Sequence, residues 1–142
     1  MTIFNKDMPA LARQNDFFQK EVYLDKNVQI VLMHILPGED IGAETHRADQ
    51  TTFFVSGHGQ AEVDGQRTSV SPSHLLVIPQ GALHNITNTG IEPLKLYSVY
   101  APPAEEAGVA NKTKADAEAA EHSGVVAKVA DAAKGLVDKI TG

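Results

Sequence analysis

The sequence predicts an all-β domain, an antiparallel sandwich or barrel, with a short helical extension at its C-terminal end. Short β-branched and aromatic runs, turn residues between them at regular spacing, and a change of composition after Pro103 carry that prediction. No helical period separates the runs, so the βαβ rhythm of a parallel sheet is missing. Strands begin at about residue 17. Residues 28–36 (VQIVLMHIL) are nearly continuous in apolar character, as in a strand covered on both faces. Pro37-Gly38 ends that run. Residues 52–55 form the next strand core, and Gly57-His58-Gly59 turns the chain. Residues 60–63 lead into Asp64-Gly65, a two-residue hairpin signal because both central positions favour positive φ. Residues 66–70 return. Residues 75–78 (LLVI) run into Pro79-Gln80-Gly81, and residues 94–100 close the series before Ala101-Pro102-Pro103.

Beyond Pro103 the chain turns rich in Ala, Glu and Lys, which favours helix in the second half of residues 104–121. A second helix is expected over residues 125–140. Val125, Val126, Val129, Ala133, Leu136, Val137 and Ile140 share one side of it, with Lys128, Asp131, Asp138 and Lys139 on the other. Gly135 weakens it by about 1 kcal/mol relative to Ala. Such a helix lies on the barrel or across a dimer interface, or else frays as a tail; its mixed charges disfavour a membrane surface. The expected division is a barrel over residues 1–110 and a helical extension over residues 111–142.

At 142 residues the chain is long enough to bury one core, and 42% hydrophobic with 21% charged residues is an ordinary globular balance. A net charge of -6 without clustered Lys and Arg argues against nucleic acid. The absence of cysteine excludes disulfides, zinc-thiolate sites and thiol nucleophiles. No basic n-region with an apolar h-region opens the sequence, and no run approaches the roughly 20 apolar residues of a membrane span. The expectation is a soluble cytoplasmic protein whose partner is a small molecule.

The chemistry-bearing residues fall in two clusters. Glu44 and His46 lie two apart, so on a strand their side chains leave the same face. Gln50 follows across a short Arg47-Ala48-Asp49 loop and can rejoin that face. His84 comes after Pro79-Gln80-Gly81, which aims the next strand back across the barrel. Two imidazoles, a carboxylate and a carboxamide converging in a barrel suit a divalent cation, since a buried unpaired Glu is costly without one. His34, on the apolar 28–36 strand, reads as a satisfied core histidine, or as a catalytic base if it faces the lumen. His58 and His74 fall in turns and His122 in the tail. Tyr97 and Tyr100 sit on opposite faces of one strand, so at most one reaches a pocket, and Phe53 and Phe54 divide in the same way.

These clusters resemble the two motifs of the cupin superfamily. Gly38, Glu44-Thr45-His46, Gln50 and Gly57 match the intervals of the first motif, and Pro79, Gly81, His84 and Asn88 those of the second. Residues 20–103 carry the resemblance. It is nearest to small single-domain bacterial cupins of the mannose-6-phosphate-isomerase-like type, through stretches such as HNITNTGIEPLKLYSVYAPP and NKTKADAEAAE. The resemblance implies a double-stranded β-helix (a jelly-roll barrel), a divalent metal and commonly a homodimer. The implied ligands are Glu44, His46, Gln50 and His84. Glu44 stands where the usual pattern has His and Gln50 where it has Glu, which leaves one carboxylate among the four donors in either case. Gln is also a ligand in cupins that open unsaturated uronate rings. Two His, one carboxylate and a weak fourth donor resemble a facial triad with open positions, suiting Mn, Fe, Co or Ni, whereas four donors nearly close a tetrahedral Zn site. A degenerate site, with Glu44 and Gln50 only hydrogen-bonding the imidazoles, is the alternative. The expected activity is metal-dependent isomerisation or ring opening of a sugar or sugar acid, with His34 or Tyr97 moving the proton. Fe(II) dioxygenation and non-catalytic binding of a small ligand are the other readings.

Overall fold

The computed structural model describes residues 2–121. The helix expected over 125–140 and His122 lie outside the described residues. The architecture is the all-β antiparallel jelly roll expected from the sequence. Its strands are β1 (Gln19–Leu24), β2 (Gln29–Ile35), β3 (Asp49–Ser56), β4 (Gly59–Val63), β5 (Gln66–Val70), β6 (Leu75–Ile78), β7 (His84–Thr87), β8 (Leu94–Ala101) and β9 (Ala110–Asn111). They form a six-stranded sheet in the order β6-β3-β8-β2-β1-β9 and a three-stranded sheet in the order β5-β4-β7. A helix that the sequence reading did not anticipate, α1 (Met8–Gln14), precedes them. Its cap is Asp7, whose carboxylate accepts from the Ala10 backbone N–H at 3.1 Å. Residues 114–121 are helical, in line with the composition there.

The two-residue period of the strands sorts their side chains. Along β8, Leu94, Leu96, Ser98 and Tyr100 are buried and alternate with partly covered Lys95, Tyr97 and Val99. Strand β2 pairs with one side of β8 and β3 with the other. Gln29, Tyr100 and Gln50 therefore form one rung, Val31, Ser98 and Thr52 the next, and Met33, Leu96 and Phe54 a third. The lumen grades from an apolar floor at Ile35, Leu94 and Phe54 to a polar end at Gln29, Tyr100 and Gln50. On the outer face α1 covers the same sheet, packing Ala12, Met8 and Leu11 with Leu32, Val55, Phe53 and Tyr97. Strand β2 is thus buried on both faces, which is why its sequence shows almost no alternation.

The Asp64-Gly65 turn forms as its sequence requires, with φ of 48° and 81°. It also extends the pairing of β4 with β7: Asp64 N–H donates to Leu83 O at 2.8 Å, and Leu83 N–H donates to Asp64 Oδ1 at 2.9 Å. This pins the residue before His84. Glu44 and His46, expected on a strand, lie instead in a segment, residues 40–46, that is not a regular one. It touches β7 through two isolated antiparallel bridges, Asp40 with Thr87 and Glu44 with His84. The Gly and Asp residues of this segment favour turns, so pairing is intermittent.

Gly57 has φ of +87°, and a Cβ there would meet Pro93 O at 2.5 Å and Leu94 Cα at 2.9 Å. Gly42 has the same φ with nothing within 4 Å. Backbone strain alone costs about 1–3 kcal/mol at such a position. Gly57→Ala should therefore lower the urea midpoint by more than Gly42→Ala does. Equal midpoints for the two variants would mean that the Pro93 backbone yields freely.

Candidate metal centre

Glu44, His46 and His84 each bring one ligating atom into a cluster within which those atoms all lie within 4.8 Å of one another. The Glu44–His84 bridge sets the spacing: each residue's N–H donates to the other's carbonyl at 3.0 Å. A second link runs from Gly81 N–H to His46 O at 2.9 Å. Two backbone contacts between the motifs therefore hold three side chains in one place. Glu44 Oε1 lies 3.2 Å from His46 Nε2 and 3.8 Å from His84 Nε2.

The imidazoles are prepared for a cation. His84 Nδ1 lies 3.0 Å from Ala82 O, which assigns the proton to Nδ1 and leaves the Nε2 lone pair facing the lumen. His84 Nε2, His46 Nε2 and Gln50 Oε1 are buried and have no hydrogen-bond partner. Gln50 lies on the lumen face opposite Tyr100, its Nε2 donating to Thr52 Oγ1 at 3.1 Å and more distantly to Ser98 Oγ at 3.4 Å. Each such unmet group costs about 1–3 kcal/mol. A cation bound to the acceptor atoms removes that cost, so the donors present fit a divalent metal.

His34 and Tyr97 are not brought to this cluster. Both occupy outward positions of the six-stranded sheet, on the side covered by α1. His34 Nδ1 lies 3.2 Å from Asn15 O, and the Tyr97 ring stacks on Phe53 at 5.4 Å. The period of two decides this: Met33 and Leu96 take the lumen, so their neighbours in sequence cannot. Of the two tyrosines it is Tyr100 that faces the site, its ring edge-on to His46 at 5.4 Å. His58 and His74 are exposed in turns, as their positions suggested.

Three acidic neighbours of the cluster escaped the sequence reading. Glu105 Oε1 lies 3.7 Å from His46 Nε2, with the side chain 16% exposed. Burial, then the Glu44 charge, pushes its carboxyl up to about 6. Burial, then the charges of Glu105 and Glu44, pushes the Tyr100 phenol well above its usual value and keeps it protonated. Glu118 and Glu121, on the helical residues 114–121, border a cleft over Glu44 with Phe18, Met33, Ile41 and Lys114. Burial disfavours protonated His46, but the Glu44 contact and the Glu44, Glu105 and Glu121 charges outweigh it and raise His46.

A family profile described as "Cupin domain" matches residues 31–100. The chain is a cupin. Among curated proteins it is 40% identical over 117 residues to the uncharacterized protein YrkC of Bacillus subtilis strain 168, covering 78% of this chain and 63% of YrkC. The cupin thus spans less than two thirds of that relative's length. Among solved structures, BH2720 from Bacillus halodurans is 34% identical with a TM-score of 0.81, covering 83% of this chain and 95% of that one. TT1209 from Thermus thermophilus is 26% identical with a TM-score of 0.61, covering 69% and 96%.

The pH dependence of the metal-free cupin follows from these shifts. Glu105 titrates higher in the fold than its ordinary 4.5, so its effect on stability is most favourable below pH 4.5 and is lost as pH rises to about 6. Raised His46 acts in the same direction, its contribution fading as pH climbs past its folded value. Relative to Glu105→Gln, the wild type should lose on the order of 2 kcal/mol between pH 4.5 and 7.5 in the presence of a chelator. Urea unfolding at the two pH values measures this; parallel behaviour of the two proteins would contradict it.

Proposed function

We propose that this cupin binds one divalent ion (Mn, Fe, Co, Ni or Zn) through Glu44, His46, His84 and Gln50. With that ion it acts as an enzyme on a small polar substrate, a sugar or sugar acid, by isomerisation or ring opening. The observation that carries the reading is the set of three buried acceptor atoms without partners beside the Glu44 carboxylate. A bound ion would polarise a carbonyl or hydroxyl oxygen of the substrate.

The chain's own residues supply the rest. Phe18, Met33, Ile41 and Ala117 give the cleft apolar walls, which narrow it and limit contact with water. Gln19, Lys114, Glu118 and Glu121 on the same cleft offer hydrogen bonds to substrate hydroxyls. The Tyr100 phenol, held protonated by burial at the edge of the His46 ring, donates a long hydrogen bond to Glu105 Oε1 at 3.5 Å. Catalytic roles for His34 and Tyr97 have no support in this geometry, because both lie on the far face of the sheet.

A second reading, Fe(II)-dependent dioxygenation, is favoured by the two-His, one-carboxylate composition of the cluster. Elemental analysis of the purified cupin should find about one divalent ion per chain, and an ion other than iron would exclude the second reading. His46→Ala should lose bound metal and turnover of sugars and uronates together. Full turnover by thoroughly chelated protein would refute the proposal, and oxygen uptake during turnover would replace it with the second reading.

A further inference from the structure

Glu105 belongs to neither cupin motif, yet it is held firmly against the metal cluster. Gln29, fully buried at the start of β2, grips the backbone around it. Gln29 Oε1 accepts from Ala104 N–H at 3.1 Å and from Glu105 N–H at 2.9 Å, while Gln29 Nε2 donates to Glu105 O at 3.3 Å. The same Nε2 donates to Glu21 Oε2 at 2.8 Å, and that carboxylate accepts from Gly108 N–H at 3.1 Å. One buried amide therefore fixes the loop from residue 104 to residue 108.

The side chain so placed is a carboxylate facing another carboxylate. Glu44 Oε1 and Glu105 Oε1 approach the same His46 Nε2, at 3.2 and 3.7 Å. Among the described residues no Lys or Arg lies in salt-bridge range of either; Lys114, on the cleft, is paired with Asp40 and lies near Glu118. Two like charges sharing a buried corner are unfavourable without a cation between them. Donors about 2.1 Å from one ion lie about 3 Å apart at right angles and about 4 Å apart when opposed. Glu44 Oε1 lies 3.2 Å from His46 Nε2 and 3.8 Å from His84 Nε2, and Glu105 Oε1 lies 3.7 Å from His46 Nε2, each in that range; Glu44, His46 and His84 form the tighter group, and Glu105 stands beside it against His46. Gln50, meanwhile, brings an uncharged oxygen to the position where the motif usually carries an acid.

We propose that Glu105 is the second carboxylate of the metal centre, supplying the negative charge that Gln50 lacks, and that Gln29 is the positioning residue that holds it there. The proposal rests on the metal-binding reading. It gives the centre two imidazoles and two carboxylates, with charges that balance a divalent ion, and one of those carboxylates comes from outside both motifs.

The test is calorimetric titration of the metal-free full-length protein with Mn(II), and with Co(II) as a spectroscopic probe. Wild type, Glu105→Gln and Gln29→Leu are compared, alongside thermal melting of each metal-free form. Glu105→Gln should lose about 10- to 100-fold in affinity and change the Co(II) absorption. Its metal-free melting temperature should hold or rise, because a like charge has been removed. Gln29→Leu should lose affinity and metal-free stability together. Mn(II) and Co(II) binding by Glu105→Gln within twofold of wild type, with an unchanged Co(II) spectrum, would overturn the role of Glu105 and leave the metal centre standing. A fall in the metal-free melting temperature of Glu105→Gln would mark Glu105 as a structural group and overturn it equally. Absence of metal binding by the wild type would remove the metal reading itself.

Discussion

Strand β8 runs between β2 and β3, and its register against both determines what enters the lumen. Tyr100 stands between Gln29 and Gln50, and Ser98 between Val31 and Thr52. Because the side-chain period of a strand is two, a slip of one residue would exchange Tyr100 for Val99 and Ser98 for Tyr97. It would also swing Gln29 away from the loop that carries Glu105. The apolar face of Leu94 and Leu96, both fully buried, makes that slip prohibitive. Ordinary core packing thus decides the orientation of polar groups a few rungs away.

Local organisation around the cluster follows from two opposed demands. Backbone contacts bring Glu44 and Glu105 to one imidazole, while burial and mutual repulsion disfavour their charges. Elsewhere in the barrel most buried polar groups are satisfied within the chain, Asn85 Oδ1 being the one other unmet side-chain atom among the described residues. Asn88 donates to Ile35 O and Glu92 O, both at 2.8 Å, and Thr52 and Ser98 bond each other at 2.7 Å. The unmet atoms His46 Nε2, His84 Nε2 and Gln50 Oε1 are concentrated where the carboxylates gather. That contrast separates a site from a packing defect.

Most of the strands could be read from the sequence, because alternation, β-branching and the Asp64-Gly65 turn are local signals. The motif residues could be read as well: Glu44, His46 and His84 meet, and Gln50 faces the lumen near them. The helix α1 was missed since seven residues carry too short a period to stand out. His34 and Tyr97 were placed on the right strands, but which face a doubly covered strand turns inward is a tertiary matter. Glu105 had no local signature at all. Its place is set by Gln29, many residues away, and the one hint is a carboxamide at the start of a largely apolar strand.

The donors of the cluster come from segments far apart in the chain, joined by the Glu44–His84 bridge and the Gly81–His46 contact. Before those contacts form, the unfolded chain offers only Glu44 and His46 as near neighbours, a weak pair for any ion. The complete donor set is therefore a product of barrel closure. In small zinc domains the metal nucleates the fold, whereas here an ion would be loaded into a finished one. On the proposed reading the chain would close first and the cation would follow.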